Sequence, residues 1–283
     1  VKPHERGALW AGWAKGPSAD GWGIWRGAFG FVKKTLVMAH LEVMRIRHDS
    51  TELFTRAVQP ALWLLVFGQV MTRLRALPTG QMRYIDFMTP GILAQSILFI
   101  AIFYGIAIIW ERDLGIVHKF LVSPTPRTAL VSGKALSAGV RGLSQVVIIY
   151  LLALLMGVRL SWRPQDLAGV VLVVVLGASF FSTFSLIIAC LVKTRERFMG
   201  IGQVLTMPLF FASNAIYPID LMPNWLRVIS QLNPLTYEVD ALRELMLVGG
   251  TTGFGLVRDL TVLVVTTVVA IIIGGWLYPR VVR

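Results

Sequence analysis

Long blocks of uncharged apolar residues recur along the chain, separated by shorter stretches where arginine, lysine, proline and glycine collect. Six blocks stand out: Ala57 to Thr72, Phe87 to Trp110, about Ala135 to Val158, Leu167 to Val192, Phe198 to Ile219 and Leu260 to Pro279. Several exceed the roughly 18 uncharged residues that make a membrane helix. The alternation expected of barrel strands is missing, and in lipid a helix satisfies its own backbone. The pattern predicts an all-α polytopic membrane protein with six transmembrane helices. The first block is short, and Arg56 and Arg73 at its ends have side chains long enough to snorkel to the two surfaces. Pro90 and Gly91 lie near the start of the second block, and the third contains Arg141. Arg141 lies roughly 10 Å along a helix from Lys134, so it either snorkels or faces a polar cavity, and snorkelling is the favoured reading.

Between the blocks, periodicity picks out shorter helices. Val32, Leu36, Ala39, Val43 and Ile46 recur at helical spacing, with Lys34, Glu42 and Arg45 on the other side. That predicts an interfacial helix at residues 32–46, its apolar stripe toward lipid; a plain packing helix is the competing reading. Residues 1–56 are polar, basic and Trp-bearing, without the apolar core and cleavage site of a signal peptide. They are expected to form a retained cytoplasmic segment ahead of a six-span domain at 57–283. In "PNWLRVISQL", Trp225, Val228, Ile229 and Leu232 share one stripe. Next, "NPLTYEVDALRELMLVGG" offers Asn233 as N-cap and Pro234 at the first helical position, ending at Gly249 and Gly250. Two short helices are therefore expected before the last span, outside the membrane or dipping into it.

Composition narrows the class. Of 283 residues, 55% are hydrophobic and only 15% charged, against about 25% charged in ordinary soluble domains. The net charge of +12 could suggest nucleic acid, but no basic run is interleaved with base-stacking aromatics. The charges fall mainly between spans, as topology signals beside anionic lipid do. With the N-terminus inside, the inner segments carry more than twice the lysines and arginines of the outer ones, which favours both termini in the cytoplasm. Arg73, Arg75 and Arg83, in the first outer loop, dissent locally. The single cysteine, Cys190, permits neither an intramolecular disulfide nor a cysteine-based metal cluster.

Several chemistries are missing. The six predicted spans contain no Asp or Glu, whereas ion-coupled carriers usually keep a carboxylate at membrane depth. His4, His40, His48 and His118 all fall in cytoplasmic or interfacial segments and form no H-E-x-x-H pattern. A G-x-S-x-G elbow is absent too. "SGKALS" around Lys134 lacks the upstream glycine of a phosphate-binding loop, so energy for uphill transport would have to come from another polypeptide.

The segment "WERDLGIVHKFLVSPTPRTALVSGK", Trp110 to Lys134, interrupts this apolar chain. Leu114, Val117, Phe120 and Leu121 can share one stripe of a short helix. Glu111 and Asp113 would suit its N-terminal dipole, and Pro124 and Pro126 would stop it. This stretch resembles the segment after the second span of ABC-2-type exporter permeases, in the daunorubicin-resistance and nodulation-export branch, where E-R-(E/D)-x-G-x-x-x-x-(L/F)-x-x-(S/T)-P recurs. "PNWLRVISQLNPLTYEVDALREL" resembles that family's outer segment, with N-P-(L/F/M)-(T/S)-x-x-x-x-x-x-R. The resemblance extends from about residue 31 onward.

The resemblance implies a permease subunit without enzymatic activity in a bacterial plasma membrane. It would pair with a second copy or a homologous permease and with two copies of an ABC ATPase subunit, which would hold the ATP and magnesium; this chain would bind no cofactor, and its remaining partner would be membrane lipid, not nucleic acid. By that analogy Glu111, Arg112 and Asp113 would begin an ATPase-coupling helix continued by Leu114, Val117, Phe120 and Leu121, with residues 32–46 as the connecting helix. The pathway would be lined by the second and fifth spans, through Gln95, Phe99, Tyr104, Gln203, Met207, Phe211 and Asn214, a mixture suited to a bulky amphiphile. Ordinary helix packing accounts for the same seven residues. The expected cargo is a drug, antibiotic or lipid moved outward. A lipid-linked polysaccharide is the alternative within the superfamily, and a non-transporting membrane enzyme or scaffold the alternative from another class.

Overall fold

The computed structural model describes residues 58–74, 82–114, 127–192 and 194–278. The expected interfacial helix at 32–46, the rest of the N-terminal segment, and Val117, Phe120 and Leu121 lie outside the described residues. Eight helices are described. Residues 58–74 form α1, with a π-helical turn at Trp63–Gly68 followed by Gln69–Leu74. Then come α2 (Tyr84–Asp113), α3 (Arg127–Leu155), α4 (Pro164–Leu191) and α5 (Arg195–Phe211), and finally α6 (Asn224–Leu232), α7 (Pro234–Met246) and α8 (Leu256–Leu277).

Four of these are long and apolar enough to cross a membrane, namely Tyr84–Asp113, Leu130–Leu155, Pro164–Leu191 and Leu256–Leu277. The chain is thus an all-α polytopic membrane protein. The fifth expected span is shorter than the apolar block that announced it. Helix α5 has 17 residues, about 25 Å of rise, and stops at Phe211 rather than near Ile219. Pro208 lies inside its last turn, after which Ala212 and Ser213 bond back to Pro208 and Phe210 and the chain leaves the helix.

Helix α4 is the centre of the bundle, packing against α2, α3, α7 and α8. Its Val170, Val173, Val174 and Phe181 are fully buried against Ile92, Leu93, Ile97 and Leu98 of α2 and Leu242 of α7. Helix α7 settles the choice left open by the sequence, because nearly all of its residues are buried between α2, α4 and α8. It runs antiparallel to α4: Leu245 lies against Gly169 near the start of α4, and the Glu238 carboxyl lies against Gly177 at its midpoint. The corner before α7 is tied to α5 by Asn233, whose side-chain amide donates to the Leu209 carbonyl at 2.7 Å. Helices α6 and α7 therefore form a re-entrant hairpin that enters the bundle and returns to the end where α2 begins.

The hairpin brings Glu238, Asp240 and Arg243 into the bundle interior, all buried. Carboxylates are thus buried among the long apolar helices although the six predicted spans contain none. The apolar stripe of α6 has the predicted spacing, and it faces away from the bundle: Trp225, Val228, Ile229 and Leu232 are all exposed, while Ser230 is buried.

Glycine permits a close approach of backbones in this arrangement. A Cβ on Gly91 of α2 would lie 2.5 Å from the Ala215 carbonyl oxygen and 2.7 Å from its Cα, backbone atoms that cannot rotate aside, whereas one on Gly133 of α3 would meet nothing within 4 Å. Gly91→Ala is expected to destabilise the protein by about 1–3 kcal/mol through overpacking. Gly133→Ala should be neutral or stabilising by about 0.5–1 kcal/mol, because alanine restricts the unfolded chain. Thermal unfolding of the two variants in detergent checks the contrast, and equal midpoints would refute the close-approach argument.

Candidate coupling and substrate site

No glycine or proline intervenes between Trp110 and Leu114, so the helix of the second span continues through Glu111, Arg112 and Asp113, which form the last turn of α2 rather than the first turn of a new helix. The acids thus sit at the negative end of a helix, where they need cations. Neighbouring helices supply them. The Lys134 ammonium of α3 donates to Glu111, and Arg195 of α5 donates to Asp113 at 2.7 Å. Arg112 reaches Asp113 at 3.2 Å and the Val192 carbonyl at 3.3 Å. The Arg195 guanidinium also lies over the Trp110 ring, 3.9 Å from its centroid. Ion pairs near the surface add little stability, but these, one of them part-buried, tie the ends of α2, α3 and α5 to one another. Leu114 is exposed just beyond.

Above this cluster lies a cavity of about 700 Å³ bounded by α1, α2 and α3. Phe99, Phe103 and Tyr104 of α2 form its aromatic wall, Phe99 and Phe103 stacking at 6.2 Å. Of the two places the sequence allowed for Arg141, the structure shows a cavity beside it. The side chain lines this cavity with its guanidinium 5.1 Å from the Tyr104 ring centroid, where a cation meets the negative face of an aromatic ring. One turn on, Gln145 is fully buried, and neither its amide nitrogen nor its oxygen has a hydrogen-bond partner among the described residues. A buried amide without partners costs stability, and here it borders a cavity of ligand size. Its helix places Gln145 beside Arg141, but an amide in an apolar block gives no sequence signal of its own.

The seven pathway candidates separate into three groups. Phe99 and Tyr104 line the cavity. Gln203, Met207 and Phe211 form an exposed stripe on α5. Gln95 and Asn214 are buried inside the bundle, Asn214 donating to Asp240 at 3.3 Å. At the opposite end from Glu111, a second cavity of about 940 Å³ opens where α2 begins. Arg83 and Asp86 pair there through bonds of 2.7 and 3.0 Å, which raise the Arg83 pKa above its ordinary value against the opposing effect of burial.

Comparison with known proteins assigns this architecture. The family described as ABC-2 type transporter matches residues 33–247, from before α1 to just past α7. The chain belongs to the ABC-2 type transporter family. It is 28% identical over 220 residues to a putative transport permease ycf38 of Cyanophora paradoxa, covering 77% of this chain and 76% of that one. It is 26% identical over 223 residues to the daunorubicin resistance ABC transporter permease protein DrrB1 of Streptomyces coeruleorubidus, covering 79% and 77%. With the inner membrane transport permease YadH of Escherichia coli K12 it shares 24% over 225 residues, 77% and 84% of the two chains. This ABC-2 chain is the membrane subunit of an ABC transporter.

If the α1–α2–α3 cavity holds cargo, Gln145→Leu separates fold from function. The substitution removes two unpartnered polar atoms at nearly constant volume, so the unfolding midpoint in detergent should hold or rise. Transport into proteoliposomes should fall several-fold. Unchanged transport would remove Gln145 from the pathway.

Proposed function

We propose that the chain is the permease subunit of an exporter that moves a hydrophobic or amphiphilic compound out of the cell, driven by separate ATPase subunits. The observation that carries this is the clamp of ion pairs at the Glu111 end, directly beneath an aromatic cavity. Glu111 with Lys134, and Asp113 with Arg195, brace both flanks of the segment that the family resemblance makes the ATPase contact. A push on that segment is delivered to α2, α3 and α5 together. Those helices carry the cavity wall and the exposed Gln203, Met207 and Phe211 stripe, against which a second permease copy would seat.

In this reading ATP binding closes the partner ATPases, the clamped helix ends move with them, and the cavity exchanges an inward opening for an outward one; hydrolysis resets the pair. The Glu111 end then lies in the cytoplasm, in agreement with the lysine and arginine distribution. The cavity's aromatic wall, with Arg141 and Gln145 as its polar groups, suits a flat or branched apolar body bearing a polar end. The relative named for daunorubicin resistance supports a small amphiphile over a polysaccharide.

Affinity purification in mild detergent is expected to bring down an ATPase with a phosphate-binding loop in near-equal amount; its absence would sink the pump reading. Glu111→Lys should abolish ATP-driven transport while the protein still inserts and dimerises. The charge swap Glu111→Lys with Lys134→Glu should restore the unfolding midpoint but not transport, because the ATPase would still meet reversed charge. Transport restored by the swap would reduce Glu111 to an internal tether.

A further inference from the structure

The cavity of about 940 Å³ at the end opposite Glu111 is lined by four arginines, Arg83, Arg159, Arg227 and Arg243, and three aspartates, Asp86, Asp220 and Asp240. Two of the aspartates are already engaged. Asp86 accepts two bonds from Arg83. Asp240 accepts from Asn214, from the Gly253 and Phe254 amides at 2.8 and 3.0 Å, and lies 3.7 Å from Arg243. Arg243 is held in place by its 2.8 Å bond to the Asn214 carbonyl and by stacking over Phe87 at 3.9 Å.

Arg159 and Arg227 remain. Arg227 donates one bond, to the backbone carbonyl of Asp220 at 3.1 Å, and its Nε is buried without a partner. No ion pair to Arg159 or Arg227 is found among the described residues. The buried Asn214 oxygen and Arg243 Nε are also unpartnered, and Thr251 and Thr252 border the same space. Against these two guanidiniums the lining sets only Asp220, so the pocket keeps a surplus of positive charge and a fork of unused donors.

Guanidinium forks match the oxygens of phosphate and carboxylate. We propose that this pocket binds the anionic group, phosphate or carboxylate, of an amphiphile, with Arg159 and Arg227 as its ligands. The assignment does not depend on the direction of transport. The shared chemistry is an oxyanion, whether it arrives as a lipid headgroup or as a free ion.

The test uses the full chain in detergent, with short-chain phosphatidylglycerol as probe, phosphatidylcholine of the same chain length as control and inorganic phosphate as competitor, read by calorimetry. The expected result is binding of phosphatidylglycerol at least about tenfold tighter than phosphatidylcholine. Arg159→Gln with Arg227→Gln should abolish that preference, Arg227→Lys should keep part of it, and Arg163→Gln, at the same end but off the lining, should leave it intact. Displacement by millimolar phosphate identifies a site for free oxyanions, and resistance to displacement identifies a lipid headgroup site. Equal affinity for the two lipids in the unaltered chain overturns the proposal. So does a preference that survives the double substitution, or one that Arg163→Gln removes equally. Should the double variant not fold, the Arg227→Lys and Arg163→Gln comparison decides alone.

Discussion

A backbone that leaves the helix must find new partners for its polar groups, and several of those between Phe211 and Leu235 find them in side chains. Several of its carbonyls accept from side chains. Tyr84 donates to the Ile216 carbonyl at 2.9 Å, Tyr217 to Phe211 at 2.5 Å, Tyr237 to Gln231 at 2.6 Å, and Arg243 to Asn214. Amides are treated likewise: Ala215 donates to the Ser213 hydroxyl and Leu235 to the Asn233 side chain. Because these bonds exist, α5 can stop short of a full span and α7 can fold back into the bundle. The arrangement of α2, α4 and α8 around α7 follows from that.

The two ends of the bundle then take different characters. Where α2, α3 and α5 meet, the Glu111–Lys134 and Asp113–Arg195 pairs join helix ends that also pack through Ile108, Ile109, Val131 and Phe198. Where α2 begins, the loop before α4 pairs with the end of α7, Ser161 donating to Met246 and Val248 to Arg159, so backbone bonds close the structure. One end is joined by ion pairs between side chains, and the other by backbone hydrogen bonds beside the Arg83–Asp86 pair.

Much of this was legible in the sequence. The apolar blocks gave α2, α3, α4 and α8, because length and lack of charge suffice for a spanning helix. Asn233 and Pro234 announced the start of α7, and the Asn233 side chain does cap it. What escaped has a common cause. A stripe such as Trp225 to Leu232 records which residues lie together, not whether they face the bundle or away from it. The acids at Glu111 and Asp113 suit the start of a helix, and they are tolerated at the end of α2 only through Lys134 and Arg195, partners distant in sequence. Arg141 posed the same problem: its depth was readable, but the cavity beside it is made by three helices. The place of residues 32–46 lies outside the described residues.

The walls around α7 also set an order of assembly. During synthesis, α7 emerges before α8, yet α8 forms one side of its slot and α7 carries Glu238, Asp240 and Arg243, which lipid alone would not accept. The slot for α7 is complete only once residues 256–277 are in place, so docking of the hairpin is expected to be a late step in biogenesis. Truncation or slow translation just after Met246 would leave a charged amphipathic segment stranded beside an unfilled bundle, a natural target for membrane quality control.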